Sequence, residues 1–242
     1  RFVKAQWNAA DFRSAIEESL AANSIVNAPT TWVTENHDVT RSVTRYGGGI
    51  RLAGEYVPDS QQQSSIDLEL GTRRARAVAL MLLTLPGAVY IYNGQELGLP
   101  NVDDLPDEVL QDPSFFRTHG AVRGRDGCRI PLPWSHDGVS AGFSSSSTTW
   151  LPIPDYYRDL AANLQRRDTS SMLHLYQQAL DLRRKHPALR RGQLRWLEST
   201  DGVIGYAVHS KTEQFEVWVN FSDSPIPMPS GIAILASLPT DS

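Results

Sequence analysis

The sequence predicts an α/β fold in which βα units are followed by an appended antiparallel β module. Three observations carry this. Helix-period segments alternate with short β-rich or continuously apolar runs through the first three-quarters of the chain. From Gly192 onward the text changes to short alternating strands. Each of the two early strand-like runs leads into a long loop rich in polar and aromatic residues.

Taken in order, residues 8–20 read as a helix. Asn8 is placed to cap it with Asp11 three positions on, and Phe12, Ala15, Ile16 and Leu20 share one face. Thr30-Thr31-Trp32-Val33-Thr34 is a short β-rich run that ends at Glu35-Asn36-His37-Asp38, a mixture of polar and titratable groups that a plain loop does not need. Residues 47–71 read as loop, with Gly47, Gly48 and Gly49 followed by polar text. A second helix is expected over 72–85, with Ala75, Val78, Ala79 and Leu82 as its apolar face and Pro86-Gly87 as its stop. Ala88 to Tyr92 has the continuous apolar pattern of a strand buried on both faces.

Residues 93–167 have no strong period, and their aromatics, among them Trp134, Phe143 and Trp150, argue for an ordered functional region over a disordered one. A third helix is expected over 170–186, with Leu173, Tyr176, Leu180 and Arg183 one turn apart and Pro187 ending it. Strands over 194–197, 203–209, 215–220 and 232–235 would form the β module. The domain boundary falls near residue 190, giving units 1–190 and 191–242.

Composition narrows the function classes. The chain has 242 residues, 40% hydrophobic and 21% charged, which is ordinary for a globular protein with a full core. A net charge of −4 points away from nucleic acid and anionic membranes as partners. Cys128 is the single cysteine, so no intrachain disulfide can form. That fits a reducing compartment, and the cytoplasm is the expectation. The most apolar stretch, Ala75 to Tyr92, is broken by Pro86-Gly87, and neither half reaches the roughly 18–20 residues needed to span a bilayer. The first residue is Arg1, no signal peptide is visible, and the true start of the gene product is expected upstream.

Four segments carry a resemblance. Trp32-Val33-Thr34-Glu35-Asn36-His37-Asp38-Val39-Thr40-Arg41 resembles the fourth conserved region of the α-amylase superfamily, glycoside hydrolase family 13. The stretch from Pro86 to Gly98 is similar to that family's eighth barrel strand and its loop. Gly124-Arg125-Asp126-Gly127-Cys128-Arg129-Ile130-Pro131-Leu132-Pro133-Trp134 resembles the α-glucosidase and oligo-1,6-glucosidase branch, as do Ser171 to Tyr176 and Leu182 to Leu189. The resemblance implies the C-terminal part of a (β/α)8 barrel, from the end of strand six to helix eight, followed by an antiparallel β-sandwich-type domain that stops short of its last strand. Barrel active sites lie in the loops at the C-terminal ends of the strands.

The family's chemistry implies a retaining glycosidase. Two carboxyl groups about 5–5.5 Å apart serve as nucleophile and acid/base. The resemblance places both on barrel strands four and five, outside this chain. A third acid stabilises the oxocarbenium-like transition state, and it maps onto Asp38. The plain alternative is a loop aspartate capping a turn. His37 would donate to hydroxyls of the reacting sugar, or simply pack beside the strand end. Arg129 would bind the non-reducing-end sugar through its fixed fork of donors, with a carboxylate of the N-terminal half as its partner; a surface ion pair is the alternative. Arg125 is a weaker candidate for the same task. Arg41 and Arg45 lean towards pairing with acids, Asn36 and Glu96 towards structural roles, and Cys128 towards a small packed residue. Trp134 and Trp150 suit either sugar stacking or a core, with the core favoured.

The implied activity is hydrolysis of α-glucosidic bonds in oligosaccharides or disaccharides, and the 242-residue chain alone is expected to be inactive. Relatives that transfer glucose or isomerise a disaccharide, as trehalose synthases and sucrose isomerases do, share the same carboxylates. A non-catalytic barrel serving as a transporter's partner subunit is a third reading, opposed by the intact Asn36-His37-Asp38 and Arg129. Structural calcium occurs in parts of the family, but no ligand cluster for it stands out here, and no redox or nucleotide cofactor motif is present.

Overall fold

The computed structural model describes residue 2, residues 7–48 and residues 66–238. Helix α1 (Ala9–Ser24) begins where Asn8 is extended and its side-chain oxygen accepts the Asp11 amide at 2.8 Å. That bond satisfies one of the orphan donors of the first turn. Phe12, Ala15 and Ile16 are buried, and the Phe12 ring lies 4.9 Å from that of Phe221.

Strand β1 (Thr31–Trp32) pairs in parallel with β2 (Ala88–Val89), with Trp32 opposite Val89. The Trp32 indole donates to the Pro86 carbonyl at 2.8 Å. Gly87 turns the chain between them at φ +123°, and a side chain there would overlap the Thr30 carbonyl oxygen. The expected strand over 88–92 is therefore only two residues long, and it is not buried on both faces: Ala88 is exposed and Tyr90 is 64% exposed. Among the described residues β2 has one strand neighbour, β1, and a parallel strand is buried on both faces only in a wider, covered sheet.

Helix α2 (Ser42–Tyr46) is short, and α3 (Leu68–Thr84) starts four residues before the expected position. Asp67 explains the early start, since its carboxylate accepts the Leu70 amide at 2.9 Å. Most of the expected 47–71 loop lies outside the described residues. Residues 93–167 contain only short helical pieces, among them α4 (Pro113–Arg117) and α5 (Ala162–Gln165). Helix α6 (Met172–Lys185) buries Leu175, Tyr176, Ala179 and Arg183, while Leu180, expected on that face, is 42% exposed. The buried stripe runs through 172, 175, 176, 179 and 183, so position 180 points away from it.

Helix α7 (Ala188–Arg191) leads into an antiparallel sheet of β3 (Gln193–Trp196), β4 (Val203–His209) and β5 (Gln214–Asn220), in that spatial order. Tyr206 on β4 is fully buried and donates to the Met81 carbonyl at 2.9 Å. The expected strand over 232–235 does not form. Ile232 is 93% and Ile234 59% exposed. The preceding Pro225, Pro227 and Pro229 lack the donors that a ladder needs.

The chain divides into two compact units, one from residues 1–34, 76–90 and 176–242, the other from 35–75 and 91–175. In the first, Arg183 is buried and donates to the carbonyls of Leu83 and Leu85, both at 2.8 Å, and to those of Gly87 and Leu189. One guanidinium thus satisfies carbonyls that the end of α3 leaves open. The second unit has its own core around Leu97, Leu99, Leu110, Ile130, Leu151 and Tyr157. Gln165 ties it together, donating to the Leu97 and Leu160 carbonyls at 2.9 Å each and accepting the Leu173 amide at 3.0 Å.

No helix among the described residues is long and apolar enough to cross a membrane.

Candidate active site

The candidate site lies within the second unit and is built on a buried clasp. Glu35 and Arg41 are both buried. Glu35 accepts the Ser42 amide at 2.7 Å, and its other oxygen lies 3.6 Å from Arg41 Nη1. Arg41 also donates to the Asn93 carbonyl at 3.1 Å and lies over the Tyr92 ring, 5.0 Å from its centroid. Opposite charges and hydrogen bonds of this kind offset the cost of taking such groups out of water. The clasp closes the segment between 35 and 41 and leaves His37 and Asp38 outside it, with side chains 68% and 47% exposed. Asn36 shapes the turn by accepting the Asp38 amide at 2.8 Å.

The Asp38 carboxylate caps no turn. Its Oδ1 accepts Arg125 Nη1 at 2.7 Å and Arg129 Nη2 at 3.2 Å, and His37 Nε2 lies 3.4 Å from its Oδ2. Arg129 Nε donates to the His37 carbonyl at 2.8 Å. The four residues singled out in the sequence, His37, Asp38, Arg125 and Arg129, therefore meet in one cluster.

Asp112, which the sequence reading missed, completes it. Its side chain is fully buried, yet its Oδ2 accepts Arg125 Nε at 2.5 Å and the Arg125 amide at 3.1 Å, and lies 3.6 Å from Arg129 Nη1. Its Oδ1 accepts the Ser114 amide at 2.9 Å. Burial pushes this carboxyl upward, but the hydrogen bonds from Arg125 and Ser114 outweigh it and hold the group well below the usual carboxylate range. The hydrogen bond to Asp112 in turn raises the Arg125 guanidinium above its ordinary value. Within this chain Arg129 meets two carboxylates, those of Asp38 and Asp112. The only local signal for Asp112 is an aspartate before Pro113, which reads as a helix cap.

Among the described residues there is no group of three or more His, Cys, Asp or Glu side chains that could hold a metal ion. Chemically, the cluster presents a half-exposed carboxylate and two guanidinium edges on a polar surface, a set that can accept from and donate to neighbouring hydroxyls.

The alpha-amylase family model, described as the alpha amylase catalytic domain, matches residues 2–192. The chain belongs to the alpha-amylase family. A probable alpha-glucosidase of Rhizobium meliloti is 33% identical over 79% of this chain and 31% of its own length. An oligo-1,6-glucosidase of Parageobacillus thermoglucosidasius is 28% identical over 78% of this chain and 33% of its own. The chain spans about a third of the length of the curated relatives it matches. Among solved structures, the alpha-glucosyl transfer enzyme XgtA superposes with a TM-score of 0.75 at 30% identity, covering 96% of this chain and 39% of that one. A mutant of the trehalulose synthase MutB, in complex with the substrate sucrose, gives 0.69 at 26% identity over 88% of this chain and 38% of that one. An α/β fold of the alpha-amylase type follows.

The remaining candidates of this alpha-amylase-family chain sort by burial. Cys128 is buried beside the site, and burial pushes its thiol up to about 11, which disfavours the reactive thiolate. Glu96 accepts the Gly94 amide at 2.8 Å and is raised by burial. Arg45 donates to the Thr40 carbonyl at 2.7 Å and lies over the Tyr46 ring. The core reading of Trp134 and Trp150 is overturned: they are 46% and 54% exposed.

Proposed function

We propose that this chain is the C-terminal portion of a retaining α-glucosidase that acts on α-glucosidic bonds of oligosaccharides or disaccharides from the non-reducing end. In this reading residues 1–190 run from the end of the sixth barrel strand to the eighth helix, and residues 191–242 are the C-terminal β domain. Asp38 stabilises the oxocarbenium-like transition state, since its fixed negative charge lies near a developing positive one. His37 donates to hydroxyls of the reacting sugar. Arg129 and Arg125 bind the sugar and orient Asp38. The observation that carries the reading is the exposed Asp38 carboxylate held by two arginines in a chain of this family. The nucleophile and acid/base lie on strands four and five, so the isolated chain has no turnover.

A second reading, transfer or isomerisation in place of hydrolysis, is favoured by the likeness to XgtA and MutB. The same carboxylates serve both, and the outcome depends on whether water or a sugar hydroxyl attacks the glycosyl intermediate.

The test is to read the gene upstream of Arg1 and express the whole open frame. Hydrolysis of p-nitrophenyl α-D-glucoside and maltose with retention is expected, and Asp38→Asn should lower kcat by about 10²–10³. Glucose transferred to a second sugar would favour the other reading. A frame that ends just before Arg1, or turnover by the 242-residue chain alone, overturns the proposal.

A further inference from the structure

Asp38 and Asp112 share the same two arginines but differ in their surroundings. Asp38 is half exposed and meets the guanidinium ends alone. Asp112 is fully buried and takes Arg125 at its Nε and at its backbone amide. Its site is shaped for it from two sides. Asp126 Oδ2 accepts the amides of Gln111 and Asp112 at 2.6 and 2.8 Å, which fixes the backbone that carries the carboxylate. Gly124, at φ +81°, makes room for it: a Cβ there would lie 2.5 Å from Asp112 Cβ and 2.7 Å from Cγ. The run Gly124-Arg125-Asp126 thus supplies in three consecutive residues the space for Asp112, its counter-ion and the acceptor that holds its backbone.

We propose that Asp112 is a positioning residue: it holds Arg125 and Arg129 in place independently of Asp38, so that Asp38 can exchange arginine hydrogen bonds for ligand hydroxyls without the arginines leaving. The functional meaning rests on the glucosidase reading; the positioning itself does not. The physical asymmetry is one of solvent. An exposed ion pair contributes little because water competes for both partners. A buried carboxylate with Arg125 as its counter-ion has no such alternative, so breaking that contact leaves an uncompensated charge. When a sugar hydroxyl displaces a guanidinium edge from Asp38, the bonds to Asp112 remain. Arg129 additionally keeps its bond to the His37 carbonyl.

The test uses hydrogen exchange of the arginine Hε protons in the 242-residue chain, read by ¹⁵N-detected NMR at the side-chain Nε. In the unaltered chain both Arg125 Hε and Arg129 Hε should be slowed. Asp38→Asn should change either rate by no more than about twofold, whereas Asp112→Asn should speed Arg125 Hε about tenfold or more. Asp112→Asn should also speed Arg129 Hε by a smaller factor. That proton donates to His37 and not to Asp112, so the loss of one local bond would leave it unmoved. The proposal is overturned if Asp38→Asn frees Arg125, or if Arg129 is indifferent to Asp112→Asn. Should Asp112→Asn fail to fold, the Asp38→Asn chain, altered only at a half-exposed side chain, still decides it. Neither arm reads turnover, so the positioning can fail while the glucosidase reading stands, and the reverse.

Discussion

The β3–β5 sheet and the irregular stretch over 93–167 are both ordered, but by different means. In the sheet, backbone pairs with backbone, and β4 is buried along nearly its whole length. In the irregular stretch, turn-type backbone bonds are joined by individual side chains that reach backbone groups far away in the sequence. Gln165 reaches the Leu97 carbonyl, 68 residues away, Tyr157 reaches the Pro100 carbonyl at 2.5 Å, and Arg158 reaches the carbonyls of His136 and Gly138. A ladder spreads its stability over many equivalent bonds, so no exposed side chain matters much. The irregular chain concentrates its stability in a few polar residues, each of which leaves several groups orphaned when removed.

The contrast can be broken by substitution. The largest loss is expected from Gln165→Leu, which keeps bulk but orphans the Leu97 and Leu160 carbonyls and the Leu173 amide. Equilibrium urea unfolding should show about 3–5 kcal/mol of destabilisation. Gly124→Ala comes next, at about 2–4 kcal/mol, from a positive φ together with overlap on the Asp112 side chain. At the other end, Glu216→Thr on the exposed face of β5 should stay within about 0.5 kcal/mol. A Glu216→Thr loss equal to that of Gln165→Leu would show that the two regions do not differ in this way.

The same contrast decides what could be read from the sequence. The strands expected over 203–209 and 215–220 form as β4 and β5 with at most one residue of difference, because β-branched and aromatic residues bounded by turn residues are a local signal. The strand expected over 232–235 fails because alternation says nothing about whether a partner edge exists. Helix α1 was legible from Asn8 and its face, whereas the start of α3 was not, since Asp67 was not seen as a cap. In the site, His37 and Asp38 stand in one contiguous segment and could be singled out. Asp112 could not: its importance comes from a spatial fit to Gly124 and Arg125, 12 and 13 residues on, and no periodicity encodes that. Arg125 carried the missing signal, since an arginine that is to sit in a fixed place needs a carboxylate to hold it.

The parallel pairing of β1 with β2 has a kinetic side. Thr31 and Ala88 lie 57 positions apart, while the hairpin of β4 and β5 joins His209 to Gln214 across five. Closing the longer loop costs about 2 kcal/mol more in chain entropy on a logarithmic scaling with loop length. The hairpin can thus assemble early from local contacts, while the parallel pair waits for distant chain to arrive. Asp38 and the Glu35–Arg41 clasp lie in the sequence between β1 and β2, so the site-bearing segment belongs to the late-closing loop. In refolding, the antiparallel sheet should gain its amide protection before the Trp32 indole gains its own.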